Sequence, residues 1–222
     1  MKRTLRWVMR GLVVLCALML AAWLLKDSLF RTLAERRLRE ETGLTIDIGQ
    51  LKVNLISASV VLKEITSLNP PGFGDTKWLH VREASGALDV QQARTNRLHF
   101  NDLKFHLAEL TVIRKPDGLL NLEAIKQSIL AHAFRSGRKR KLNFSFGGID
   151  KLELSLERVN YIDEQQPANS LQLDLGIQNE VVTNLRTEEE FNQWANAFVI
   201  RIALKEYLKN PKLSGLKSLW ER

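Results

Sequence analysis

LNPPGFGDTKWLHV, residues 68–81, is the stretch on which the reading of this chain turns. Two prolines fix the backbone and two glycines free it, so the chain must reverse here between two apolar runs. Phe73 sits in the middle of the reversal. A large apolar ring held by Asn69, Pro70 and Gly72 is expected to fold inward and plug one end of whatever the turn closes.

The flanks say what is being turned. Upstream, Ile46 and Ile48 fall on one side of a period-two pattern, and Val53–Leu68 and Trp78–Val90 alternate with a slip in each. Slips at Lys63-Glu64 and Glu83-Ala84 predict β-bulges, which bend a strand and re-aim its side chains. Downstream, alternation is strict in RLHFN, DLKFHL, KLNFSF, KLELSLE and SLQLDLGIQ. Such segments are strands with one wet and one apolar face, and they favour antiparallel pairing. The apolar set is Leu103, Phe105, Leu142, Phe144, Phe146, Leu152, Leu154, Leu171, Leu173 and Leu175. Alternation assigns it to a single face. About eight or nine strands at ~4.8 Å each predict a sheet about 40 Å wide.

Helical periodicity interrupts the strands twice. Leu119–Phe134 aligns Leu122, Ile125 and Ile129. Thr187–Asn210 opens with Thr187 and Glu190 at capping-box spacing and carries the stripe Phe191, Trp194, Phe198 and Ile202. These two helices either cover the apolar face or leave part of it open as a groove.

The first 43 residues are of another kind. Lys2, Arg3, Arg6 and Arg10 precede Gly11–Leu25, fifteen residues without a charge. Trp7 and Trp23 sit near the two ends, where interfacial tryptophans belong. A cleaved signal lacks a good small-x-small site here, and Leu15 before Cys16 disfavours a lipoprotein. The segment therefore predicts an uncleaved membrane anchor over residues 1–26, N-terminus inside. An amphipathic helix over 27–43 follows, then a β-rich domain over 44–210 and a basic amphipathic tail over 211–222. The body of the chain is placed outside the cytoplasm.

Composition narrows the chemistry. The 222 residues carry a net charge of +8 and one cysteine, so no intramolecular disulfide forms. The four histidines make no metal-ligand spacing, and no nucleophile elbow, Walker loop or dinucleotide fingerprint occurs. His99 and His106 fall by parity on the polar face, as solvated residues. No catalysis, cofactor or metal is expected. The basic run Arg135, Arg138, Lys139, Arg140 and Lys141 is read as a solvated loop or as a contact for anionic lipid headgroups. Nucleic acid is not expected as a partner, because the run has no interleaved aromatics.

The signature Asn69-Pro70-(Pro71)-Gly72-Phe73, the later Asp117-Gly118 with Asn121-Leu122, and the N-terminal apolar segment together resemble the AsmA-like family. VNYIDEQ and LGIQNEVVTNLRT resemble its next strands. The resemblance spans roughly residues 1–208, with one proline more than the sparest form of the turn. It implies an α+β fold: a transmembrane helix, then a curved, mostly antiparallel sheet forming an apolar trough in the periplasm. It also implies non-catalytic lipid handling or envelope maintenance at the inner membrane, with membrane lipids as partners. TamB-like and bridge-like lipid-transfer proteins are larger relatives. The alternative left open is an assembly scaffold with a closed core that recruits another envelope protein.

Overall fold

The computed structural model describes residues 27–136 and 145–209. Helix α1 occupies residues 27–42. Strands β1 (Ile46–Asn54), β2 (Ser59–Leu68) and β3 (Lys77–Leu88) follow, then a single helical turn α2 (Val90–Ala93). Next come β4 (Arg97–Arg114), α3 (Asn121–Ser136), β5 (Ser145–Asp163), β6 (Leu171–Leu185) and α4 (Glu188–Lys209). The six strands form one sheet in sequence order, β1 to β6.

This corrects the expected architecture. The sheet has six strands, not eight or nine, and it is mixed, because β4 and β5 run parallel through the α3 crossover. The missing strands were fused rather than lost. RLHFN and DLKFHL are one 18-residue strand. The end of KLNFSF runs through Gly147-Gly148 into KLELSLE as one 19-residue strand. Asn101-Asp102 and the glycine pair look like breaks in sequence. In the fold the β4–β5 ladder resumes on both sides of them, at Phe100–Ile149 and Leu103–Leu152. The sheet is thus narrower, about 29 Å across, and longer, about 60 Å along β4 and β5. Among the described residues no helix is long and apolar enough to cross a membrane. Residues 1–26, where the anchor is expected, lie outside them, as does the tail over 211–222.

A line of irregularities crosses the sheet. Glu64 takes a left-handed φ of 53° opposite Gly49. The register shifts between Val81 and Glu83, and again in β6, which holds Gly176 and Asn179 at positive φ. Since the slips fall in step on neighbouring strands, the apolar face stays continuous across them.

The sheet has two unlike ends. One holds the β2–β3, β4–α3 and β5–β6 connections. Here Asn121 Nδ2 donates to Asn69 Oδ1 at 2.7 Å and to the Thr111 carbonyl at 2.9 Å, and Asn121 Oδ1 accepts from the Ile113 N–H at 3.0 Å. Asn69 Nδ2 in turn donates to Thr76. Phe73 is buried beside this pair, with Lys115 Nζ 4.9 Å from its ring centroid. The turn at 68–81 and the start of α3 are therefore one latch. α3 continues from it to the end of α1, where Ser128 Oγ donates to the Thr42 carbonyl at 2.9 Å. The other end holds the β1–β2 tip, α2 and the β6–α4 junction.

α1 runs antiparallel beside the edge strand β1. Val53 N–H donates to Asp27 Oδ1 at 3.3 Å, Ile48 N–H to Glu35 Oε1 at 3.0 Å, and Arg31 Nη1 to the Gly49 carbonyl at 3.0 Å. Side chains of the helix thus occupy backbone groups that an edge strand leaves open.

Candidate functional site: the apolar face of the sheet

Paired residues on adjacent strands share a face, so the register writes out rows across the sheet. One row is Val53, Val60, Gly86, Leu103, Leu152 and Val182. The next is Leu51, Leu62, Ala84, Phe105 and Leu154, ending at Glu180. The third, beyond the bulges, is Ile48, Ile65, Val81, Leu107, Leu156 and Ile177. The opposite face is ionic: Lys63–Glu83, Lys104–Glu153–Lys151, Arg82–Glu157–His106 and Arg158–Asp174. One face carries these ion pairs, while the three rows of the other are apolar but for Gly86 and for Glu180 at the β6 end of the second row.

Helices cover the hydrocarbon unevenly. Along β5 and β6, Phe191 and Trp194 of α4 pack with Phe100, Leu103, Phe146, Ile149, Leu152, Val182 and Leu185. Trp194 stacks on Phe198 at 5.4 Å between centroids. Arg201 of α4 reaches Glu180 at 2.6 Å, closing that row with an ion pair. At the latched end, Leu120 and Leu122 pack with Val112, Tyr161, Leu171 and Leu173. The middle of the face belongs to neither cluster. Phe105 is 37% exposed there, and Leu62, Leu107, Leu154 and Leu156 are half-buried beside it.

The single inner-face set read from alternation is accordingly divided. Leu103, Phe146 and Leu152 lie under α4, Leu171 and Leu173 lie in the latched-end cluster, and Leu175 is buried. Phe105 and Leu154 remain in the open middle. Leu142 and Phe144 lie outside the described residues, with Arg138, Lys139, Arg140 and Lys141, while Arg135 is in the last turn of α3.

His99 departs from its expected place on the wet surface. It is buried, with Nδ1 3.1 Å from the Gly147 carbonyl and Nε2 3.1 Å from Asp150 Oδ2. Two acceptors at the two ring nitrogens suit the imidazolium. The Gly147 carbonyl, with Asp150 and Asp89 behind it, holds His99 above the ordinary imidazole value, against the effect of burial. His99 in turn, with Arg186, holds Asp150 below the usual carboxylate range. Arg186 Nη1 donates to Asp150 Oδ1 at 2.9 Å, so β4, β5 and the start of α4 share one clamp. The sequence signal was the glycine pair. A Cβ at Gly147 would stand 3.1 Å from His99 Cβ, and one at Gly148, whose φ is 124°, 3.1 Å from Nδ1. Only glycine leaves room for the ring. The clamp joins three residues, His99, Asp150 and Arg186. Among the described residues no group of His, Cys, Asp or Glu could hold a metal ion.

The chain matches no family model, no curated protein and no solved structure.

Proposed function

We propose that this is a membrane-anchored periplasmic protein of the AsmA-like kind, which handles lipid by holding acyl chains on the open middle of its apolar face, without covalent chemistry. The observation that carries the reading is the patch around Phe105, which is exposed with Leu62, Leu107, Leu154 and Leu156 only partly buried beside it, whereas Ile48, Leu51, Val81 and Ala84 of the same two rows are buried. Each methylene moved from water onto such a surface gains up to about 0.8 kcal/mol. A few methylenes of one acyl chain therefore suffice for useful binding. The anchor over 1–26, with the body outside the cytoplasm, belongs to the same proposal and supplies the lipid source.

The test is Phe105→Asp in the full chain, with thermal stability and lipid co-purification measured together. On an open face the new carboxylate reaches water. The fold then holds, with a loss of at most about 1 kcal/mol, and bound lipid disappears. Unfolding of the variant, with no lipid on the wild type, means the face is closed core and ends the reading. A scaffold role is the second reading, favoured by Val199, Ile200 and Leu204, which stand exposed on α4 away from the sheet. It is supported instead if lipid is absent and changing these three residues to serine removes an envelope protein from the purified complex.

A further inference from the structure

Ile56 is 99% exposed and its neighbour Leu55 is 72% exposed, at the tip of the β1–β2 hairpin. A tight turn gains nothing locally from two adjacent large apolar side chains in water. Topology explains what surrounds them. β1 and β3 finish at this end, and β2 and β4 start here, so the β1–β2 tip and α2 converge on it. α2 presents Val90, also exposed. α1 begins at the same end, because Asp27 bonds the N–H of Val53, one residue from the end of β1. The first described turn of α1 exposes Leu29, at 68%, and Phe30. In the sequence, the uncharged run Gly11–Leu25 stops two residues before Asp27.

The charges at this end are also suited to one kind of surface. Arg94 and Arg97 are exposed, and among the described residues neither is in an ion pair. Of the acids near these two arginines, Asp89 caps α2 and Asp150 is held by His99 and Arg186, while the exposed Glu188, Glu189 and Glu190 stand at the start of α4, after β6, two strands from β4. Asp102, exposed, stands five residues further along β4 than Arg97, about 17 Å away at ~3.3 Å per residue. Apolar tips flanked by free guanidinium groups, where an apolar chain segment arrives, match a bilayer interface bearing anionic headgroups.

We infer that this end of the sheet is a membrane-docking surface, with Leu55, Ile56, Val90, Leu29 and Phe30 dipping into the interface of an anionic phospholipid bilayer and Arg94 and Arg97 meeting its phosphates. The inference rests on the anchored reading of the N-terminal run and gives it an orientation, with strands rising from the membrane. It is independent of whether the apolar face carries lipid.

The experiment uses the full chain with Cys16→Ser and a single cysteine at Ile56→Cys or Asp75→Cys. Asp75 lies exposed in the β2–β3 turn, a strand length of about 33 Å from the tip. Each protein carries an environment-sensitive NBD label and is reconstituted in vesicles of phosphatidylglycerol and phosphatidylcholine. At position 56 the emission shifts to the blue and iodide quenching falls several-fold relative to position 75. Replacing Arg94 and Arg97 by serine, or omitting phosphatidylglycerol, weakens that protection. Equal quenching at the two positions overturns the docking surface. Protection that is indifferent to both charge changes overturns its anionic character. Membrane fractionation of the same proteins reports the anchor separately, and lipid measured before reconstitution reports the apolar face.

Discussion

At the latched end the buried amides of Asn69 and Asn121 are joined through a neutral hydrogen bond, near Phe73 and an Arg114–Asp163 pair, whereas at the tip end His99, Asp150 and Arg186 form an ionic clamp beside the bare side chains of Leu55 and Ile56. The amide latch and the ionic clamp both bring distant segments together, but with different chemistry. Neutral hydrogen bonds between buried amides are insensitive to pH, and removing one partner leaves the other unpaired. An ionic clamp changes with the proton count of its members. Apolar exposure is partial at the latched end, where Leu119 is 38% and Ile162 41% exposed, and far greater at the tip, where Ile56 is 99% exposed.

The largest expected effect lies at the latched end. Phe73→Ala empties a buried ring site and should cost about 3–5 kcal/mol, read as a fall in urea midpoint. An unchanged midpoint would remove the ring from the latch and break the contrast. Next is Asn121→Ala. It leaves Asn69 Oδ1 and the Ile113 N–H without their partner, at about 1–3 kcal/mol for a buried group. Because the groups are neutral, the loss should be the same at about pH 6 and about pH 8. A loss that varies between these two pH values would show a titrating group in the latch.

The smallest effect belongs to the clamp, and its sign follows from the two shifts. The raised value of His99 means its contribution is whole below about 6.5, the ordinary imidazole value, and is lost as pH climbs through the raised one. The lowered value of Asp150 means its contribution is present above about 3.8 and is lost as pH falls through the depressed one. Wild-type melting temperature should therefore decline on the alkaline side, and His99→Gln should flatten that decline while lowering stability at about pH 6. A variant that keeps the wild-type slope would assign the pH dependence elsewhere.

Local periodicity made much of this legible, and long-range pairing made the rest illegible. Leu152, Leu154 and Leu156 announce a strand by themselves. The Thr187–Glu190 box caps α4 as its spacing implies, with Glu190 N–H donating to Thr187 Oγ1 at 3.1 Å. The Lys63-Glu64 slip is the site of the left-handed Glu64, and the β3 shift falls one residue before Glu83-Ala84. By contrast, Asn69 and Asn121 are 52 positions apart, and nothing local says that their side chains meet. His99 was misplaced because parity describes a regular strand. The Gly147-Gly148 irregularity on the neighbouring strand opens a space that parity does not see. The strand count failed for a related reason: polar or glycine pairs inside β4 and β5 resemble turns until a ladder on either side holds them extended.

The bonds from Asp27, Arg31 and Glu35 to the backbone of β1 have a mechanical consequence. They are spaced along the helix rather than gathered at one point. A pull along the helix axis at its N-terminal end loads all three in parallel, in the shear geometry that resists force best. A sideways pull would open them one after another. A tether that enters at Asp27 would therefore pass axial tension into the long direction of the sheet and behave as a splint instead of a hinge.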